Sequence, residues 1–210
     1  MRNYRELLII LALLAVVAVM AVPIVSEANR EAHAVICQRH LAHLYQATLQ
    51  YQEETGVLPY VELKTKPLWK WWSELIRPYL ESSLSMSCPA DPRAADFFRK
   101  VQSPLYIPPS PLSFGMNWWL REGCARKCGA KTRLDGLSRP QETVLFADSK
   151  GPYLMPERFW TYEKAMRHDN ETRANFIYAD GSVRLQPQTD FGVFKEDGTF
   201  VTDFTKWHWK

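Results

Sequence analysis

Leu7–Val25 reads LLIILALLAVVAVMAVPIV, 19 apolar residues without a charge. Wound at the α-helical rise it is about 28 Å long, close to the hydrocarbon thickness of a bilayer. Such a segment meets a membrane. Arg2 and Arg5 precede it, whereas just after it Arg30 is outweighed by Glu27 and Glu31; the asymmetry puts the amino terminus in the cytoplasm and exports the remainder. A cleavable signal peptide is the other reading, with Ser26-Glu27-Ala28 offering small residues to a peptidase. The apolar run, however, exceeds a signal core of roughly 7–15 residues, and the chain beyond Val25 continues as helix. An uncleaved anchor is expected.

Beyond Val25, Ser26–Gly56 (SEANREAHAVICQRHLAHLYQATLQYQEETG) contains no Pro, and apolar residues recur at Ala28, Ala32, Val35, Ile36, Leu41, Leu44, Tyr45 and Thr48. Spacings of three and four make one helical stripe. Gly56 is a helix stop and Pro59 a barrier just past it, so a single helix is predicted from about Tyr4 to Thr55, on the order of 75 Å long. Pro23 removes the hydrogen bond to the Val19 carbonyl, which predicts a kink or local unwinding there. A second amphipathic helix is predicted over Pro67–Leu80, with Leu68, Trp69, Trp72, Ile76 and Leu80 on one face and Pro78 placed to end it early. Residues 87–111, with SCPADP and IPPSP, read as loop. Strands are predicted at Ser113–Leu120, Thr143–Asp148, Ala174–Ala179 and Ser182–Gln186, the last two joined by an Asp180-Gly181 turn. The tail repeats this grammar more weakly in Val193–Lys195 and Thr199–Val201 around Asp197-Gly198. The fold class expected is α+β, a long amino-terminal helix packed on a small antiparallel sheet.

Composition agrees with a folded exported domain. The chain has 210 residues, 46% apolar and 23% charged, which excludes disordered, collagenous and low-complexity classes. Twenty-six basic against 23 acidic residues leave +3, scattered along the chain, so no nucleic-acid partner is expected. No Ser–His–Asp order, HExxH, P-loop or GxGxxG occurs, hence no catalytic residue and no nucleotide, zinc or other cofactor is assigned. His168, Asp148 and Asp180 are the raw material for a metal or catalytic site, with Glu163, Asp169 and Glu171 nearby in sequence. The simpler reading makes Asp180 a turn residue and lets His168 satisfy a backbone carbonyl. Clustered tryptophans at Trp69–Trp72, Trp118-Trp119 and Trp207–Trp209 are first of all packing material. A small-molecule ligand is not named by any motif.

Further features resemble a known family, the type IV pilin-like and type II secretion pseudopilin-like proteins that end in a domain named H-X9-DG. Glu6 opens the apolar run as Glu-Leu-Leu, and Pro23 follows 17 residues later, the family's separation. Cys37, Leu41, Leu44 and Tyr51 fall at its spacing along the second half of the helix, and Gly56 with Pro59 resembles its closing "DG.FP". Trp72 through Pro78-Tyr79-Leu80 is similar to its "W..LL.PYL". Ser87-Cys88-Pro89-Ala90-Asp91 resembles "CPSD", Ser113–Asn117 "SYG.N", and Pro140–Ser149 "PSETVLLADS". Arg167-His168 with Ala174–Gly181 resembles "RH…ANFLFADG", though 11 residues, not nine, separate His168 from Asp180. Counting back from Glu6, the Phe and Gly of the family's cleavage motif fall on Arg2 and Met1. Either a start lies further upstream or processing has been lost.

The resemblance implies three parts: residues 1–25 as the transmembrane half of the helix, 26–56 as its exported half, and 57–210 as the globular part. It implies a non-enzymatic subunit or accessory of a secretion or pilus-like assembly, held in a bacterial inner membrane with its globular domain periplasmic or extracellular. Its partners would be other pilin-like subunits or secretion-system components. Glu6 and Pro23 would belong to assembly, Glu6 pairing with a neighbour's amino terminus, and His168, Asp180 and Gly181 would be the signature. The alternative is a membrane-tethered periplasmic binding domain that does not polymerise. Four cysteines in an exported chain allow three disulfide connectivities. Cys124 and Cys128 suit a local bridge better than half a zinc site. Cys37 and Cys88, at family positions, could then form a second, tying helix to loop; a free Cys37 buried on the helix face is the other possibility.

Overall fold

A computed structural model describes residues 2–64, 69–81, 86–92, 112–120, 133–154, 165–187, 192–194 and 200–202. One helix, α1 (Arg2–Thr55), runs through the apolar segment and on beneath a sheet. It continues past Pro23 without unwinding, since a single missing hydrogen bond costs less than breaking a helix extended on both sides. It stops at Gly56, whose φ of +77° suits a residue without a Cβ and whose N–H donates to the Gln52 carbonyl at 2.8 Å.

The buried face of α1 is Ala34, Cys37, Leu41, Leu44, Ala47, Thr48 and Gln52, again in steps of three and four. Leu41, Leu44 and Thr48 lie on it as the stripe predicts, but Val35 and Ile36 are 54% and 38% exposed and Ala28 and Ala32 also face outward. The phase is set by Cys37 and Leu41, and turning these inward turns Ile36 away.

The predicted second helix is shorter than the sequence suggests. β1 (Glu62–Lys64) pairs antiparallel with β2 (Trp69–Trp71), so the Trp-Lys-Trp start of the segment is strand. Aromatic residues favour that state. Helix α2 is only Trp72–Ile76, followed by a 3-10 turn at Arg77–Tyr79 that contains Pro78. Glu74 reaches back to accept the Trp71 N–H at 3.0 Å, starting the helix where the strand ends.

The main sheet comprises β3 (Phe114–Asn117), β4 (Val144–Asp148), β5 (Tyr153–Leu154), β6 (Arg173–Tyr178) and β7 (Val183–Pro187), in the order β5-β3-β4-β6-β7. The small antiparallel sheet expected is in fact mixed, because β5 lies parallel to β3. After β4 the chain wraps around the start of β3 and returns alongside it. Gly115 makes that wrap possible: a Cβ there would meet the Ser149 Cβ at 2.9 Å, Leu154 Cδ2 at 2.9 Å and the Gly151 oxygen at 3.0 Å. The Pro152 carbonyl in this link accepts from the Met116 N–H at 3.1 Å and from the Trp72 indole, fastening α2 to the sheet edge. On β4, Leu145 is bulged against β6, and the Val144 carbonyl accepts from Asn117 Nδ2 at 2.8 Å. A last antiparallel pair, β8 (Gly192–Phe194) and β9 (Phe200–Thr202), corresponds to the weak tail signal.

Core residues of α1 pack with Trp72, Ile76, Phe114, Met116, Phe146 and Ile177 on one face of the sheet; Val144, Ala147, Leu154, Ala174, Phe176 and Tyr178 are buried on the other. The β6–β7 turn closes as Asp180-Gly181, with Gly181 at φ +85° and its N–H donating to the Tyr178 carbonyl. Asp180 Oδ1 accepts from the N–H and hydroxyl of Ser182. The turn also touches the helix, for a Cβ on Gly181 would lie 2.9 Å from Tyr45 Cε1. Gly181→Ala is therefore expected to destabilise the domain by about 2 kcal/mol, through the left-handed backbone and the contact together. In urea denaturation, combining it with Tyr45→Ala should cost less than the sum of the single changes.

Candidate functional site

Four chain segments converge at the end of β4: Cys37 of α1, the Cys88–Asp91 loop, Asp148, and Arg167-His168 ahead of β6. Arg167 is at the centre. Its guanidinium donates to the Ser113 carbonyl at 2.7 Å and to the Ser149 carbonyl, lies 2.8 Å from Asp91 Oδ2 and reaches Asp148 Oδ1 at 3.4 Å. The Arg167 and Asp91 side chains are nearly buried and that of Asp148 fully so. Asp91 also accepts from the Ser113 hydroxyl at 2.8 Å. Asp148 Oδ2 accepts the Asn175 N–H at 2.7 Å and faces His168 Nε2 at 3.2 Å. Charged groups this far from water persist only when paired and hydrogen-bonded.

Cys37 and Cys88 are joined by a disulfide across 51 residues, a loop whose closure contributes about 4 kcal/mol in the chain-entropy account. The Cys88 sulfur lies 3.7 Å from His168 Nε2. His168 is thus buried between a carboxylate and a disulfide, while its Nδ1 has no hydrogen-bond partner among the described residues. Among the described residues its side chain satisfies no backbone carbonyl; its backbone N–H does, donating to Arg173 at 3.1 Å. Between these two residues Asp169, Asn170 and Glu171 all take left-handed backbone angles, and Asn170 Oδ1 accepts from Arg30 of α1 at 2.5 Å. That turn uses four of the 11 residues separating His168 from Asp180. Nearby, His40 places Nδ1 3.0 Å from the Ser87 carbonyl.

The structure therefore unites His168 with Asp148 and leaves Asp180 out, with Gly181, at the turn on Tyr45. Asp169 and Glu171 face outward, and Glu163, Cys124, Cys128 and Trp207–Trp209 lie outside the described residues. Trp71 and Trp72 are buried, Trp72 against Phe146 at 4.7 Å, as packing material should be. Glu6 and Pro23 stand on the other notable surface: Leu7–Val25 is exposed along its whole length, and among the described residues α1 is the one helix long and apolar enough to cross a membrane. Asp91 and Arg167 were visible in sequence only as parts of motifs. The signal for their pairing is chemical, an Arg and two Asp flanking segments that must all be buried. Compared with protein-family models, curated proteins and solved structures, the chain matches none.

Removing Arg167 leaves two buried carboxylates without their cation. Arg167→Met should cost about 3–5 kcal/mol in urea denaturation, and adding Asp91→Asn should recover part of it.

His40 carries a pH dependence. Burial holds its pKa below the ordinary histidine value, with the Ser87 contact opposing and His43 and Arg39 adding to the depression. The unfolded chain therefore takes up this proton first as pH falls, and stability drops below about pH 6.5. A thermal midpoint that declines between about pH 7 and 5, and declines less in His40→Asn, is the expected result.

Proposed function

We propose that this protein is a pilin-like, non-enzymatic subunit or accessory of a type II secretion or type IV pilus-like assembly. It is held in a bacterial inner membrane by α1, with its amino terminus in the cytoplasm and its sheet on the far side. One observation carries the reading: a single uninterrupted helix is bare and apolar in its first half and forms the spine of a folded domain in its second. A simple tether needs no such continuity, since a flexible linker would serve. Support also comes from Val35 and Ile36, which are 54% and 38% exposed. They sit about 15 Å beyond Val25 along the helix, past the reach of the hydrocarbon. Another subunit's helix would cover them.

In such a bundle a carboxylate at Glu6 must meet a cation, either a neighbour's amino terminus or Arg2. Glu6→Ala should leave the protein in the carbonate-resistant membrane fraction while reducing helix-to-helix crosslinking, read from a photo-reactive residue at Leu13, several-fold. Glu6→Asp should be milder. Wild-type protein that never crosslinks to itself or to another pilin-like subunit would instead be a membrane-tethered domain that does not polymerise.

A further inference from the structure

The disulfide, His168 and Asp148 form a set that neither the anchor nor the assembly reading uses. Cys37 Sγ, Cys88 Sγ, one ring nitrogen of His168 and one carboxylate oxygen of Asp148 all lie within 4.8 Å of one another, and all four residues are buried. We propose that the disulfide masks a divalent-metal site: once reduced, Cys37 and Cys88 join His168 and Asp148 as four ligands of a zinc ion.

The donor chemistry suits zinc, which takes thiolate, imidazole and carboxylate ligands in tetrahedral sites. So does the spacing. With zinc–ligand bonds of ordinary length, a tetrahedron has edges of about 3.4 Å from nitrogen to oxygen and about 3.6 Å from nitrogen to sulfur. The corresponding separations here are 3.2 Å from His168 Nε2 to Asp148 Oδ2 and 3.7 Å from His168 Nε2 to Cys88 Sγ. The two sulfurs, bonded to each other in the disulfide, must move apart, which rotation about each Cα–Cβ bond supplies.

Surrounding groups already hold the Asp148 carboxylate as the outer shell of a metal site would. Arg167 and the Asn175 N–H fix the Asp148 carboxylate, and the Arg167 charge offsets the excess negative charge of two thiolates and a carboxylate around one zinc ion. His168 directs Nε2 into the cluster and leaves Nδ1, buried and without a hydrogen-bond partner among the described residues, to carry the ring proton. Pro89 and Pro92, beside the buried Cys88, are exposed, which is the side from which a reductant would approach.

The chemistry balances with a dithiol as co-reactant. The dithiol gives two electrons and two protons to the Cys37–Cys88 bond and becomes a disulfide itself. Zinc then displaces the two thiol protons into water, and the affinity rises with pH accordingly. Covalent tie and metal tie join the same two segments, so the loop stays fastened to α1 in either state.

The test uses the full-length protein in detergent, reduced with a dithiol, desalted without oxygen and titrated with cobalt(II). One cobalt per chain should bind with thiolate-to-cobalt charge transfer and the intense d–d bands of tetrahedral coordination, and one equivalent of zinc should displace it. Oxidised protein should show neither band. Cys124→Ser/Cys128→Ser protein should keep both, whereas His168→Gln or Asp148→Asn should weaken binding at least tenfold. A reduced protein without the bands, an oxidised protein that binds equally, or bands lost with Cys124 and Cys128 would each overturn the proposal. The comparison of reduced with oxidised wild type needs no variant to fold, and none of these outcomes depends on whether subunits assemble.

Discussion

The Arg167 guanidinium holds separate parts of the domain in register. It touches the carbonyl entering β3, the carboxylate ending β4, the carbonyl just after it, and the Asp91 carboxylate of the Cys88 loop. Each contact is polar and directional, and each is largely withdrawn from water. An apolar side chain of the same volume would fill the space without specifying which loop belongs there. Buried ion pairs are weak sources of net stability because desolvation offsets much of their attraction. Their value here is geometric: a misplaced segment would leave a charge unpaired out of water.

From this point order spreads to the helix by two routes. The Cys88 loop, placed by Asp91, bonds covalently to Cys37. At the far end of β6, the Asp180-Gly181 turn rests on Tyr45. The two grips are eight residues apart, about 12 Å along α1. Further along, Gln52 Oε1 accepts the Leu134 N–H at 2.7 Å, and Arg133 donates to the Gly56 carbonyl at 3.3 Å. The helix is thus clasped from Arg30, which donates to Asn170 Oδ1, to its last residues.

Much of this was legible in the residues, unevenly and for physical reasons. The long helix was plain because its signal is repeated over 54 residues and closed by a glycine. β4, β6 and β7 were plain because short apolar runs and an Asp-Gly turn leave few alternatives. The Trp69–Trp71 strand was hidden, since over so few residues a helical stripe and a strand look alike, and only pairing with Glu62–Lys64 decides between them. The two residues of β5 carry almost no pattern, and their parallel pairing depends on the room left by Gly115. At the buried cluster, His168 and Asp148 were candidates, and Asp180 was named beside them although its Asp-Gly setting already marked it as the turn residue it is. Which Asp meets the histidine is a matter of strand register, and local sequence does not encode register. The phase of the α1 stripe failed similarly: apolar residues at Val35 and Ile36 look like core until the disulfide fixes which side of the helix faces the sheet.

Those two side chains bear on how the proposed assembly would work. In lipid, apolar helices gain nothing from hiding apolar surface from one another, because the surrounding tails are as apolar as they are. A helix drawn out of the bilayer meets water, and every uncovered apolar residue then favours association. In the proposed membrane arrangement the exposed surface at Val35 and Ile36 would already lie on the watery side, before any extraction. Contact between neighbouring subunits would therefore be favourable first at the membrane exit, beside the part of α1 the domain clasps, and would extend toward Glu6 only as the helix leaves lipid. On that view the domain does more than cap a membrane anchor. By gripping one side of the helix through Cys37 and Tyr45, it fixes which side remains bare, and so sets the direction from which a neighbour must approach.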